Sequence, residues 1–362
     1  MGNKNLSAAK EAKNDEFYTQ YPDIQKEINA YLEYNPDVFR NKTVLLPCDD
    51  PEWSNFTKFF AQNFENFGLK KLISTSFAIE SKKYKTDWQP TLFETENPLF
   101  NLDKSKRCGK IFILEHDTNA NGKIDIDDLQ WQYLDGDGDF RSDEVKRIRD
   151  EADIIVTNPP FSLFREFLAW IMENEKKFLI IGHQNAITYK EVFPLIRDNK
   201  IWLGKGFSGG ATHFISQYND VAVAGNHIVG MIRVSGVVWF TNIEHGRRHQ
   251  PLQLMTMADN IKFSKHKEVK NVGYKKYVNY DAIEVPFTDA IPSDYDGVMG
   301  VPISFLDKYC PEQFDILGIS LELATTKPAD LPKSKQGGPA FYLKENGEYQ
   351  RLYCRIAIKS RK

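Results

Sequence analysis

Cysteine is scarce: four thiols, Cys48, Cys108, Cys310 and Cys354, lie scattered through 362 residues, with no Cys-x-x-Cys pair and no histidine at metal-ligand spacing. A disulfide framework and a zinc cluster are not expected. Long apolar runs are missing as well. None approaches the ~18 residues that a membrane helix needs, and the polar opening "MGNKNLSAAKEAKND" has no secretory apolar core. A cytoplasmic chain with no membrane contact is the expectation. Nor is charge of one sign in excess. The formal value of −3 leaves only local basic runs, residues 245–249 ("HGRRH") and 262–276 ("KFSKHKEVKNVGYKK"), as places to meet a polyanion.

What is present is alternation. Strand-like "TVLLP" (43–47) is followed by helical "SNFTKFFAQNFENFG" (54–68) and strand-like "KLISTSFAI" (71–79). The pattern resumes with "DIIVT" (153–157), the helical "SLFREFLAWIMENEKK" (162–177) with Ser162 as N-cap, "KKFLIIG" (176–182), a helix opened by a Thr188…Glu191 capping box, and "KIWLG" (200–204). Strand and helix in turn predict an α/β fold, a mostly parallel sheet with helices on both faces. Residues 80–132 are polar and irregular and read as an inserted hairpin and loop region. From residue 206 onward, glycine-rich β-like stretches, a Pro/Lys/Gly linker and a hairpin turning at "ENGE" predominate. Two regions are therefore expected, 1–205 and 206–362.

Inside 80–132 stands "DTNANGKIDIDD", which puts Asp117, Asn119, Asn121, Gly122, Asp125 and Asp128 at the spacing of a calcium-binding EF-hand loop. The last position is Asp instead of Glu, there is one loop and not a pair, and a strand-like run precedes it. A hairpin turning at Asn121-Gly122 is the competing reading.

The stretch with chemical content is "VTNPPFSLF" (156–164). Two prolines cannot continue a strand or a helix, so residues 158–161 form a stiff turn at the carboxyl end of a strand, where open α/β sheets bind ligands. The side-chain oxygen of Asn158 and the carbonyl of Pro159, beside the donorless Pro160, can accept both hydrogens of one exocyclic NH₂, and Phe161 offers a ring face to a planar group. Holding an aromatic amine this way aims its lone pair at an electrophile such as a methyl sulfonium, without metal or covalent intermediate. Two other turns suit the partner of that reaction. "LLPCDDPEWSNF" (45–56) lacks the G-x-G-x-x-G and Walker lysine of a pyrophosphate cradle and suits a ligand carrying positive charge. "LDGDGDFRSDE" (134–144) places Asp139 and Phe140 where a carboxylate and a ring could take an adenine. Taken singly, each could equally be a helix cap or a core aromatic.

Taken together, "DEFYTQY", "CDDP…SNF", "GLKKLI", "GDGDFRS", "VTNPPFSLF", "KKFLII", "ITYKEVF", "NKIWLG", "NYDAI", "GVMGVPI" and "PEQF" occur in an order that resembles the EcoRI-type modification methylases, DNA adenine-N6 methyltransferases that use S-adenosylmethionine. The resemblance covers most of the chain from Asp15 to Gly300 and beyond. It is weakest over 80–132 and 206–236. It implies a Rossmann-like methyltransferase fold of seven strands, mostly parallel, whose last strand is antiparallel and lies near 237–242, with target recognition after residue 205. It implies that Phe17, Tyr18 and Thr19 lie against the methionine part of the cofactor, with Asp49, Pro51, Ser54 and Asn55 in the loop after the first strand. Asp139 and Phe140 would hold the cofactor's adenine. Asn158, Pro159, Pro160 and Phe161 would hold a flipped-out target adenine. The acidic residue that usually binds the ribose hydroxyls has no clear match, and Glu80 is the candidate.

The partner implied is double-stranded DNA, with Arg247, Arg248, Lys265 and Lys275 as phosphate contacts. A cognate restriction endonuclease without stable association and a monomeric enzyme complete the expectation. Two other readings stand beside it. One is methylation of an RNA amine or a protein glutamine, which present the same NH₂. The other is a catalytically silent DNA-binding module with a calcium-responsive loop.

Overall fold

A computed structural model describes residues 18–47, 49, 54–78, 95, 98–207, 211–215 and 231–361. Cys48, Glu80, Phe17 and Pro51 lie outside the described residues. The chain divides into two compact units, Met1–Gln184 with Gly204–Glu244, and Asn185–Leu203 with His245–Lys362. The sequence pattern places a change near residue 205, with the last core strand near 237–242 inside the second region; residues 204–244, with that strand, fall in the first unit and residues 185–203 in the second.

Within the first unit the main sheet carries seven strands. These are β1 (Thr43–Leu46), β2 (Lys71–Ser76), β3 (Lys110–Leu114), β4 (Gln130–Tyr133), β5 (Ile154–Thr157), β6 (Lys177–His183) and β7 (Val237–Thr241). Their spatial order is β4-β3-β2-β1-β5-β6-β7. β1 pairs in parallel with β2 and β5, and β5 with β6. β7 runs antiparallel to β6, as expected of the last strand. The region read as an insertion supplies two sheet strands, β3 and β4, in antiparallel pairs. β3 is apolar and almost wholly buried, while β4, at the end of the sheet, alternates and shows one face to solvent.

Both faces of the sheet are covered. Val44, Leu46, Ile154, Val156, Leu179 and Ile181 join one cluster with residues of α1 (Tyr21–Tyr34) and α2 (Asn55–Gln62). The intervening Leu45, Ile155, Phe178 and Ile180 point to the other face and are also fully buried. An eight-residue helix such as α2 is unstable alone, and its ring contacts decide the matter. Phe56, Phe59 and Phe60 are each at most 2% exposed, and burying each contributes roughly 1.5–3 kcal/mol. α3 (Asp143–Glu151) and α4 (Phe164–Met172) come next in the chain.

Two expected caps are displaced. Residues Phe161–Leu163 form a 3-10 turn, so α4 starts with Leu163 rather than Ser162 at its N-cap. Thr188 ends the 3-10 segment Gln184–Thr188 and donates to Asn185 O, and the next helix is Phe193–Arg197. In both places a proline, Pro160 or Pro194, governs where regular hydrogen bonding begins.

The "DTNANGKIDIDD" stretch lies in the β3–β4 connection. Asp128 accepts from Thr118 N and Oγ1, Asn119 N and Asp125 N, while Asp117 accepts from Gly122 N. Its side chains thus close the loop on its own backbone. Among the described residues no group of three or more His, Cys, Asp or Glu side chains is placed to hold a metal ion.

The second unit carries a four-stranded sheet, β8 (Ile283–Glu284), β9 (Met299–Pro302), β10 (Phe314–Ile319) and β11 (Arg355–Ser360), in the order β8-β9-β11-β10. A buried pair holds it, the Arg355 guanidinium bonding both oxygens of Glu284, which also accepts from Tyr277. The "ENGE" hairpin forms as read, Tyr342–Glu345 with Glu348–Arg351, turning through Asn346 and Gly347 at positive φ. Among the described residues no helix is long and apolar enough to cross a membrane.

One buried acid in the first unit carries unusual weight. Glu27 on α1 is 1% exposed and accepts from Tyr31 Oη at 2.9 Å, Lys205 N at 2.9 Å and Gly206 N at 2.9 Å. Burial, reinforced by Glu27, pushes the Tyr31 phenol well above its ordinary range, so it stays a donor. Replacing Glu27 by Ala orphans two backbone N–H groups and should lower unfolding free energy by about 2–5 kcal/mol, read by urea denaturation.

Candidate active site

The strand order reverses at β1. The chain leaves β1 for β2 on one side and returns to β5 on the other, so the loops after β1 and β5 face each other at the carboxyl edge. Ligands bind at such a switch point in open α/β sheets.

The residues found there are largely those singled out by the sequence. Asp49, in the loop after β1, is 6% exposed. Its Oδ1 accepts from Ser54 Oγ at 2.8 Å and its Oδ2 from Thr157 Oγ1 at 2.6 Å. Thr157, the last residue of β5, also lies 2.8 Å from Pro47 O. Ser54 in turn accepts from Phe56 N at 3.1 Å, capping α2. The carbonyl of Asp49 is held by Thr57 and Ser74 hydroxyls. Hydroxyls on β2, β5 and α2 thus fix one buried carboxylate and the loop that carries it.

The segment before α1 reaches the same place. Thr19 is 2% exposed, and its carbonyl accepts from Asn55 Nδ2 at 2.8 Å. Its Oγ1 lies 3.4 Å from Asn158 Nδ2. With the amide nitrogen of Asn158 turned toward Thr19, the oxygen is aimed elsewhere and can act as acceptor. Pro159 is buried, and Asn158, Pro160 and Phe161 are half-buried. Tyr18, next to Thr19, is half-buried as well.

The third turn comes after β4. Asp139 accepts from Arg141 N at 2.8 Å and from Arg141 Nη2 at 2.6 Å. Those bonds hold its carboxyl below the usual range, so near neutral pH it is an acceptor only. Gly138 has φ +84°, and a Cβ there would lie 2.4 Å from the Ser76 carbonyl oxygen at the end of β2. Only glycine permits the loop to press against that strand end. Phe140 departs from the expected open stacking face. It is 4% exposed and packs edge-on against Phe167 and Trp170 at 5.1 and 5.7 Å, because α4 covers it.

The expected phosphate contacts lie in the second unit and differ in kind. Arg248 is 4% exposed, with its guanidinium 3.9 Å from the Trp202 ring centroid and bonded to Asn199, so it serves packing. Lys265 pairs with Asp289 and Lys275 with Glu345. Arg247 is half-buried.

Sequence reading missed Thr157. Its signal was available: a hydroxyl closing an otherwise apolar, doubly buried strand immediately before Asn-Pro-Pro. Replacing Thr157 by the isosteric Val removes the donor to a buried carboxylate and should cost about 1–3 kcal/mol of stability, read by thermal or urea unfolding.

Known proteins resemble this chain along most of its length. A family model described as "Adenine-specific methyltransferase EcoRI" matches residues 5–361. The Type II methyltransferase M.EcoRI of Escherichia coli is 42% identical over 87% of this chain and 89% of its own. The Type II methyltransferases M.MpnI of Mycoplasma pneumoniae and M.MgeORF184P of Mycoplasma genitalium are each 32% identical over 98% of both chains. No solved structure matches the chain. With its family model spanning nearly every residue, the chain belongs to the EcoRI-type adenine-specific methyltransferases.

Proposed function

We propose that this enzyme is a site-specific DNA methyltransferase that transfers a methyl group from S-adenosylmethionine to the N6 amine of a flipped-out adenine, with the 158–161 turn holding the amine. One observation carries the reading: Thr19 bonds both Asn55 of the β1 loop and Asn158 of the β5 turn, so the two loops act as one site.

The donor set suits a cationic cofactor. A buried carboxylate, Asp49, with hydroxyls on both oxygens, stands at the β1 end, and the ionised Asp139 stands in the turn after β4. Asp49, Ser54, Asn55, Thr19 and Tyr18 would hold the cofactor's methionine side, and Asp139 would hold its adenine with Phe140 as the wall behind. When bound, the sulfonium supplies the methyl electrophile. Asn158 Oδ1 and the Pro159 carbonyl accept the two amine hydrogens and direct the nitrogen lone pair, while Phe161 stacks on the base. Thr19 keeps Asn158 from rotating its amide by half a turn.

Flipping the base costs a few kcal/mol that phosphate contacts and pocket stacking offset. Reading of the surrounding sequence falls to residues after 205. On this reading the enzyme acts as a cytoplasmic monomer and modifies the sequence cut by a cognate restriction endonuclease without stable association with it.

Incubation with isotopically labelled S-adenosylmethionine and unmethylated bacterial DNA, followed by digestion and mass spectrometry, should place the label on N6-methyldeoxyadenosine. Asn158→Ala should slow turnover by about 10²–10³-fold while cofactor Kd changes little. Wild-type turnover in that folded variant would remove Asn158 from the reaction. Thr19→Val should lower kcat by about tenfold, with Thr19→Ser restoring it, because only the hydroxyl faces Asn158.

A further inference from the structure

In the second unit, helix Met257–Phe263 is capped by Thr256 and closed by the returning chain, with Asn271 N donating to Ile261 O at 2.8 Å. Val269 is fully buried beneath the turn, Gly273 N bonds Val269 O at 3.0 Å, and His266 stacks on Phe287 at 3.7 Å. The result is a braced knuckle rather than a loose loop. At its surface Phe263 is 59% and Val272 57% exposed, an uncommon cost for a well-held element.

Lysines frame these apolar side chains. Residues 259–276 hold six lysines against two acids, Asp259 and Glu268, in a chain whose formal charge is −3. Asp259 is bound to its Thr256 cap. Lys265 and Lys275 are paired with Asp289 and Glu345. Lys262, Lys267 and Lys270 are exposed, and no salt bridge among the described residues engages them. Lys262 Nζ sits 4.9 Å from the Phe263 ring centroid. Cations around a projecting aromatic match a duplex, whose phosphates flank apolar sugar and base surfaces.

We propose that this knuckle is a duplex-DNA contact in which Lys262, Lys267 and Lys270 neutralise phosphates and Phe263 makes the apolar contact. The proposal rests on the DNA reading above and goes beyond it by naming a surface. The two halves have different signatures. Phosphate neutralisation releases counterions and depends steeply on salt, whereas ring contact does not.

The test is fluorescence anisotropy of a fluorescein-labelled, mixed-sequence duplex with the full chain across a salt series. The triple variant Lys262→Gln, Lys267→Gln, Lys270→Gln should flatten the slope of log K against log salt by about two to three. Phe263→Ala should weaken binding by roughly fivefold at every salt concentration and leave the slope unchanged. All four positions are exposed, so both variants should keep the wild-type Tm. An unchanged slope in the triple variant, or wild-type affinity in Phe263→Ala, overturns the proposal while wild-type methylation of DNA leaves the parent reading standing. A wild-type chain that neither binds nor methylates DNA overturns both.

Discussion

The short bond from Thr157 Oγ1 to Asp49 Oδ2, 2.6 Å long, joins the carboxyl ends of β1 and β5 where the sheet changes direction. Both residues are nearly inaccessible to water, and a hydrogen bond in such low-dielectric surroundings is electrostatically stronger than one in water. The rest of the site is hung on this bond. Ser54 binds the other oxygen of Asp49 and caps α2, so the orientation of that helix is tied to the same carboxylate. Asn158 comes directly after Thr157, so the turn that presents its amide inherits its position from the bond. Thr19 then closes the circuit from the other side. The family's chemistry needs an amine and a methyl donor held in one geometry, and on the proposed reading this set of hydroxyls would supply a rigid frame for it.

The features legible in sequence were those imposed by local rules. Two prolines after "DIIVT" can only end a strand, and β5 ends at Thr157 with the turn directly after it. The alternation of apolar runs marked β1, β2, β5, β6 and the antiparallel β7. Less legible was β4. Its alternate residues face solvent at the end of the sheet and read as loop, whereas β3 is the strand-like run that precedes the "DTNANGKIDIDD" stretch. The caps at Ser162 and Thr188 failed because side-chain preference competes with proline placement, which moved the start of each helix. Phe140 and Arg248 show a different limit. Residue type suggested an open ring and a phosphate-binding cation, but burial is a tertiary property, and both are packed inside aromatic surroundings. Polar side chains with distant partners, Glu27 with residues 205 and 206 and Thr157 with Asp49, leave no periodic trace at all.

The family match also weighs the readings that the Asn-Pro-Pro-Phe turn alone leaves open. An adenine-specific family that spans residues 5–361 favours adenine over a glutamine amide, and the second unit matches along with the first. A silent binding module would not need the Thr19–Asn158 contact, since nothing in mere DNA binding requires an amide oxygen to be aimed. The calcium-like loop is self-contained, its carboxylates closing its own turns. It shapes the β3–β4 connection, and the site at β1 and β5 is built without it.

The central claim is that the carboxyl ends of β1 and β5 form one methyl-transfer site. A crystal structure of the protein with S-adenosylhomocysteine bound tests it most directly. The product should lie between Thr19, Asp49 and Asn55, with its sulfur facing the Asn158 carboxamide and its adenine toward Asp139. A product seated at another strand end, or with its sulfur turned away from Asn158, would contradict it.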